Sequence, residues 1–250
     1  MALATSLQRS TLSLAALIKS VTPPIVWRQI HRRVIVDGIP DAERYQPFYS
    51  PWLAPDFQAL HREISPYTLV SIDRCWTLSQ MLAQALSVEG DVMEAGVFQG
   101  GTARLLKLGV QKAAGRKLLL FDSFEGMESV SRTADRHERG DFADTSLAGV
   151  QKVVGAEPFI DYRKGWVPTT FAGLEERTFC FAHIDLDLYQ SILDCLEFLY
   201  PRMPRGAVIV FDDYGFPSCP GARRAVDQFF TGRPERPLAL MTGQALVFKL

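Results

Sequence analysis

Two acidic pairs carry the strongest chemical signal in the sequence. His183-Ile184-Asp185-Leu186-Asp187-Leu188-Tyr189 closes one apolar run, and Phe211-Asp212-Asp213-Tyr214-Gly215 closes the next. In an extended strand, positions 183, 185 and 187 share a face. If the two strands are neighbours, Asp185, Asp187, Asp212 and Asp213 meet on one rim at their carboxyl ends. Four carboxylates together repel one another and demand protons or a cation. A hard divalent ion with oxygen ligands, Mg2+ or similar, is the economical partner. Helix capping explains one such acid, but not two pairs that end successive strands. His183 reads as a supporting residue rather than a ligand.

A second constellation lies upstream, in Glu94-Ala95-Gly96-Val97-Phe98-Gln99-Gly100-Gly101-Thr102. Glycines between a strand and a helix permit a tight turn and close backbone approach to a ligand. A dinucleotide turn would read G-x-G-x-x-G, but Phe98 stands at the second glycine position. Glu94, two residues before Gly96, suits a ligand with an amino group rather than a phosphate. Asp122 ends the following strand, where an acid can hydrogen-bond a ribose diol. Together these features describe a nucleoside-bearing ligand without a diphosphate, and S-adenosylmethionine is one.

The elements that must position these residues alternate. Apolar residues fall at helical spacing from Tyr67 to Leu86. Strands are expected at Val92–Val97, Leu118–Phe121, Phe159–Arg163, Phe179–Asp187 and Ala207–Phe211. Helices are expected at Thr102–Ala113, Gln190–Leu199 and Ala222–Phe230. The continuous apolar runs LLLF and VIVF suit strands covered on both faces, hence a mostly parallel α/β sheet. PLALM and ALVFKL, joined by Thr-Gly-Gln, predict an antiparallel hairpin at the C-terminal edge. The charged stretch at about 123–155, with a capped helix near Thr145, reads as an inserted cover over the site. Residues 1–66, rich in proline and aromatics, read as an N-terminal arm or cover, and 67–250 as the catalytic domain.

Bulk properties narrow the partners. The 250 residues are 47% hydrophobic with a net charge of −1, which argues against nonspecific nucleic-acid binding. The apolar stretch Thr11 to Ile18 is too short to span a bilayer. Arg28, Arg32 and Arg33 make a basic amphipathic segment, for which packing on the domain or on a partner subunit, hence a homo-oligomer, is preferred over membrane contact. Cys75, Cys180, Cys195 and Cys219 show no zinc spacing and are expected as buried free thiols in the cytoplasm.

EAGVFQGG, LFDSFEGM, GDFADTS, KGWVPTTF, HIDLDLYQS and LYPRMPRGAVIVFDDYG, followed by GARRAVDQFF, resemble the macrocin-type sugar O-methyltransferases over roughly residues 67 to 232. That family acts on sugars of macrolide and aminocoumarin antibiotics. The resemblance implies a class I, Rossmann-like methyltransferase fold and S-adenosylmethionine bound near Glu94, Gly96, Thr102, Asp122, Ser123 and Trp166. It also implies Mg2+ held by Asp185, Asp212 and Asp213, with Asp187 as general base. The expected substrate is a small glycoside; a cell-surface glycan or a phenol is the alternative acceptor.

Two other enzyme classes share fragments of this pattern. A Mg2+-dependent phosphatase of the haloacid dehalogenase type would use Asp185 and Asp187 as a DxD nucleophile motif. Tyr189 replaces the expected Thr or Val there, and no lysine motif lies between the acidic pairs. A DxD nucleotide-sugar transferase leaves the EAGVFQGG turn without a role. A binding scaffold without activity would have no use for the intact acid cluster.

Overall fold

The computed structural model describes residues 50–127 and 133–250. The segment holding Arg28, Arg32 and Arg33, and residues 128–132 of the expected cover, lie outside the described residues. The described strands are β1 (Asp91–Ala95), β2 (Leu118–Asp122), β3 (Ile160–Lys164), β4 (Phe179–Ile184), β5 (Val208–Phe211), β6 (Leu238–Ala239) and β7 (Ala245–Phe248). They form one sheet in the order β3-β2-β1-β4-β5-β7-β6. β1 to β5 pair in parallel, β7 runs antiparallel to β5, and β6 antiparallel to β7. The mostly parallel sheet and the C-terminal hairpin are therefore as expected from the apolar runs.

The period of two along each strand feeds two cores. Leu118 and Leu120 of β2 face one apolar cluster, Leu119 and Phe121 the other. The first cluster is closed by α1 (Pro55–Ile64), α2 (Ile72–Ala85), α3 (Gly101–Val110) and α4 (Leu147–Val154). The second is closed by α5 (Tyr189–Leu199) and α6 (Pro220–Phe230). In α6, Ala222, Ala225, Val226 and Phe230 are buried, at the three- and four-residue spacing of one helix face. Truncating a fully buried leucine such as Leu196 to alanine removes about 2–5 kcal/mol.

A compact unit runs from Pro51 to Leu250. α1 buries Phe57 and Ile64, and the Phe57 ring meets Trp76 of α2 edge-on at 4.8 Å.

One strand boundary is corrected. β4 stops at Ile184, so the alternation read through to Asp187 breaks. Asp187 enters the left-handed region at φ 58°, and its amide donates to the Asp213 carboxylate at 3.0 Å. Its side chain is therefore aimed by a turn rather than by the pleat.

The β7 edge is fastened by a buried acid. Glu235 accepts the Tyr200 hydroxyl at 2.7 Å, and the Lys249 ammonium and Leu250 amide at 3.2 Å each. Burial alone would raise this carboxyl, but the hydrogen bonds outweigh it and hold it at about 2. A depressed carboxyl contributes stability above its ordinary value of 4.5, lost as pH falls from there through about 2. Glu235→Gln is expected to cost about 1–3 kcal/mol at neutral pH and to flatten the acid limb of stability. Thermal midpoints of both proteins between pH 3 and 7 check this; parallel curves would count against it.

Candidate active site

The carboxyl ends of β1, β2, β4 and β5 surround a cavity. Its wall includes Gly96, Thr102, Asp122, Ser123, Trp166, Asp185, Asp187, Asp212 and Asp213. This is the crevice where open α/β sheets bind ligands. The order in which strands are added changes side at β1, with β2 on one side and β4 on the other, which parts the connections and opens the space.

Gly96 is required by a close approach. Its φ is +88°, and a Cβ there would lie 1.7 Å from the Asp185 carbonyl oxygen. The Asp185 amide meanwhile donates to Ala95 at 2.8 Å, so the exits of β1 and β4 touch. Gly96→Ala must separate them and is expected to lower the thermal midpoint sharply and to abolish cofactor binding. An alanine variant as stable as the parent would show that these two turns part freely.

Asp122 is largely committed to the backbone. One oxygen accepts the Val97 and Phe98 amides at 2.7 and 2.9 Å, the other the Phe124 amide at 2.6 Å. A carboxylate offers about four lone-pair sites, so roughly one remains for a ligand. Ser123 donates to the Gly126 carbonyl at 2.8 Å, which shapes the turn beside it. Trp166, 38% exposed, lines the cavity.

Glu94 is not on the cavity wall. It is fully buried, and its Oε1 lies 2.8 Å from His183 Nδ1. His183 Nε2 stands 3.7 Å from Asp212. Burial opposes the imidazolium, but the Asp212 and Glu94 carboxylates outweigh it and push His183 up to about 10. Burial also pushes the Glu94 carboxyl up, against the His183 and Thr102 hydrogen bonds. The pair thus retains a proton behind the glycine turn.

The acids gather, but not equivalently. Carboxylate oxygens of Asp185, Asp187 and Asp213 lie within 4.8 Å of one another. Burial first, then the neighbouring carboxylates, push Asp185 and Asp213 well above the usual range. These groups must hold protons or a cation, which fits a hard divalent ion. Asp212 differs: Arg74 pairs with one oxygen, and Gln244 donates to the other at 2.9 Å. Burial would raise its carboxyl, but His183, Arg74 and Gln244 together lower it. Arg74 also donates to the Leu69 carbonyl and lies over the Phe216 ring.

Asp187 has partners that no spacing indicated. His137 Nε2 lies 3.4 Å from its Oδ1, and Cys219 Sγ donates to that same oxygen at 3.2 Å. His137 Nδ1 donates to Asp141 at 3.0 Å. The Asp187 and Asp141 carboxylates hold His137 at about 9 despite partial burial. His137 belongs to the β2–α4 connection, which also ties to the glycine turn through Thr145 and Gln99. From the same connection, Asp135 accepts the Tyr189 amide at the start of α5.

Among the described residues, four non-glycine residues adopt left-handed backbone: Phe98, Phe124, Phe142 and Asp187. All four belong to the turns and the connection around this cavity. The free thiols Cys75, Cys180, Cys195 and Cys219 are buried as expected. Among the described residues, no helix is long and apolar enough to cross a membrane.

The solved structure of the O-methyltransferase NovP superposes with a TM-score of 0.66 at 24% identity, covering 73% of this chain and 82% of that one. The fold is that of the class I O-methyltransferases. The macrocin-O-methyltransferase (TylF) profile matches residues 57–241, and the chain belongs to that family of S-adenosylmethionine-dependent enzymes. A Streptomyces olivaceus relative is 29% identical over 81% of this chain and 80% of its own length. It is an 8-demethyl-8-(2,3-dimethoxy-alpha-L-rhamnosyl)-tetracenomycin-C 4'-O-methyltransferase. The demethyldecarbamoylnovobiocin O-methyltransferase of Streptomyces niveus is 28% identical over 65% of this chain and 67% of its own length.

Proposed function

We propose that the protein methylates a sugar hydroxyl of a small glycosylated natural product. In this reading Asp185, Asp212 and Asp213 hold a divalent ion, and Asp187 is the general base. The observation that carries it is the crowded, proton- or cation-demanding cluster of Asp185, Asp187 and Asp213, with Asp212 beside it, on the same cavity as the Gly96 turn. The rhamnosyl substrate in the name of the Streptomyces olivaceus relative supports a glycoside acceptor.

Each residue then has a physical task. The Gly96 turn and Trp166 bound the space for the nucleoside, and the remaining lone pair of Asp122 accepts from a ribose hydroxyl. Glu94 and His183 brace the turn from behind. S-adenosylmethionine supplies an activated methyl group, and a divalent cation bound here supplies Lewis acidity toward the acceptor hydroxyl. Asp187 Oδ1 is engaged by Cys219 and His137, which leaves Oδ2 to take the hydroxyl proton as the oxygen gains the methyl group. The remainder of the rate comes from holding the two reactants in line.

An assay with labelled S-adenosylmethionine, Mg2+ and panels of glycosides, phenols and glycans tests the proposal. Label is expected on a glycoside hydroxyl, in a metal-dependent manner. Transfer to phenols alone would overturn the acceptor, and transfer unaffected by chelation would overturn the metal.

A further inference from the structure

We propose that His137, Asp187 and Cys219 form a second metal site, selective for a borderline-soft ion such as Zn2+, whose occupation silences the enzyme. The three residues come from separate places: the β2–α4 connection, the turn after β4, and the residue before α6. Their donor atoms stand at the corners of a nearly regular triangle. His137 Nε2 to Asp187 Oδ1 is 3.4 Å, Asp187 Oδ1 to Cys219 Sγ is 3.2 Å, and Cys219 Sγ to His137 Nε2 is 3.5 Å.

Tetrahedral zinc with nitrogen and oxygen at about 2.0–2.1 Å and sulfur at about 2.3 Å requires edges of roughly 3.3–3.6 Å. The N–O and S–N edges fall within about 0.1 Å of their tetrahedral values and the S–O edge is about 0.3 Å shorter than its value, so one face of the tetrahedron is nearly built. The fourth corner stays open for water, as in zinc sites with three protein ligands.

A second observation points to a metal independently. Zinc-bound histidines almost always donate their other ring nitrogen to a carboxylate, carbonyl or water, which fixes the ring. His137 Nδ1 does this to Asp141 at 3.0 Å, and Asp141 is itself held by the Glu138 amide at 3.0 Å. The donor set separates this site from the neighbouring acids. Thiolate and imidazole favour zinc or copper, whereas all-carboxylate sites favour Mg2+. As the metal–sulfur and metal–nitrogen bonds form, the Cys219 thiol and the His137 imidazolium release their protons to solvent.

The consequence for activity rests on the reading of Asp187 as base, because an ion bound at Oδ1 withdraws charge from the carboxylate and lowers the basicity of Oδ2; the site itself does not rest on that reading. Co2+ is the probe for the site, added to the full-length protein in saturating Mg2+. A thiolate-to-cobalt charge-transfer band with tetrahedral visible bands is expected. Cys219→Ser should abolish the charge-transfer band. His137→Gln, at a partly exposed position less exposed to folding failure, should abolish the tetrahedral spectrum. Asp141→Asn should weaken Co2+ binding by about 10–100-fold. A parent protein without the charge-transfer band, or a band that survives Cys219→Ser, would overturn the site. In turnover assays, Zn2+ should inhibit the parent and excess Mg2+ should not relieve it. A band without inhibition would uphold the metal site and overturn Asp187 as the base instead.

Discussion

Asp187→Asn is expected to lower the rate of methyl transfer by about 10²–10⁴-fold, the usual worth of a positioned general base. The substitution isolates the proton for three reasons. Asparagine tolerates the left-handed backbone at φ 58° nearly as well as aspartate does. The backbone amide that donates to Asp213 is unchanged, and the side-chain carbonyl can still accept from Cys219. Cofactor affinity and the thermal midpoint should therefore stay close to those of the parent. Raised Mg2+ should not restore the rate, because the missing function is proton acceptance. Restoration by Mg2+ would exchange the assignments of Asp185 and Asp187.

Removal of divalent ions is the second large effect. Chelation is expected to abolish turnover, and Mg2+ to restore it. Asp185→Asn should lose most of its activity and recover part of it at high Mg2+, since two carboxylates remain. Thermal unfolding offers a readout independent of catalysis. Burial and mutual repulsion hold Asp185 and Asp213 above their ordinary range, so the folded state binds their protons more tightly than the unfolded one. That contribution is fully present below about pH 3.8, and it fades as pH rises through the raised values. Metal-free protein should therefore lose stability on this account above the usual carboxylate range, and saturating Mg2+ should return it by mass action. A midpoint indifferent to Mg2+ at neutral pH would leave the acid cluster without its cation.

Much of the sheet was legible because LLLF and VIVF permit little besides buried parallel strands. The acid pairs were legible because each directly follows such a run. The path from Ile184 to Asp187 was not, since HIDLDLY keeps the apolar–polar alternation of a strand while the backbone turns to meet Asp213. Arg74, Gln244, His137 and Cys219 were silent for another reason. Each stands alone on its own element, and only the tertiary packing of α2, the hairpin, the β2–α4 connection and the entry to α6 brings them to the acids. Asp122 was found as an acid at a strand end, but its three backbone partners lie in turns whose shape no spacing rule specifies. Glu94 was singled out by its place before the glycines, and its side chain lies beside that of its strand neighbour His183, fully buried.

The left-handed residues around the cavity bear on how this protein can change over generations. A bulky residue held in that conformation costs about 1–3 kcal/mol, and the chain carries Phe98, Phe124, Phe142 and Asp187 there. Glycine would relax the backbone at each, but it would empty the core at Phe124 and break the Phe98–Phe142 ring contact, so only Asp187 offers relief without lost packing. The sequence of greatest heat resistance and the sequence of greatest turnover are therefore different sequences, separated at that turn. Variants selected only for survival at high temperature should take up glycine or asparagine at Asp187 while the packed phenylalanines and the sheet beneath stay unaltered, and they should become inert there.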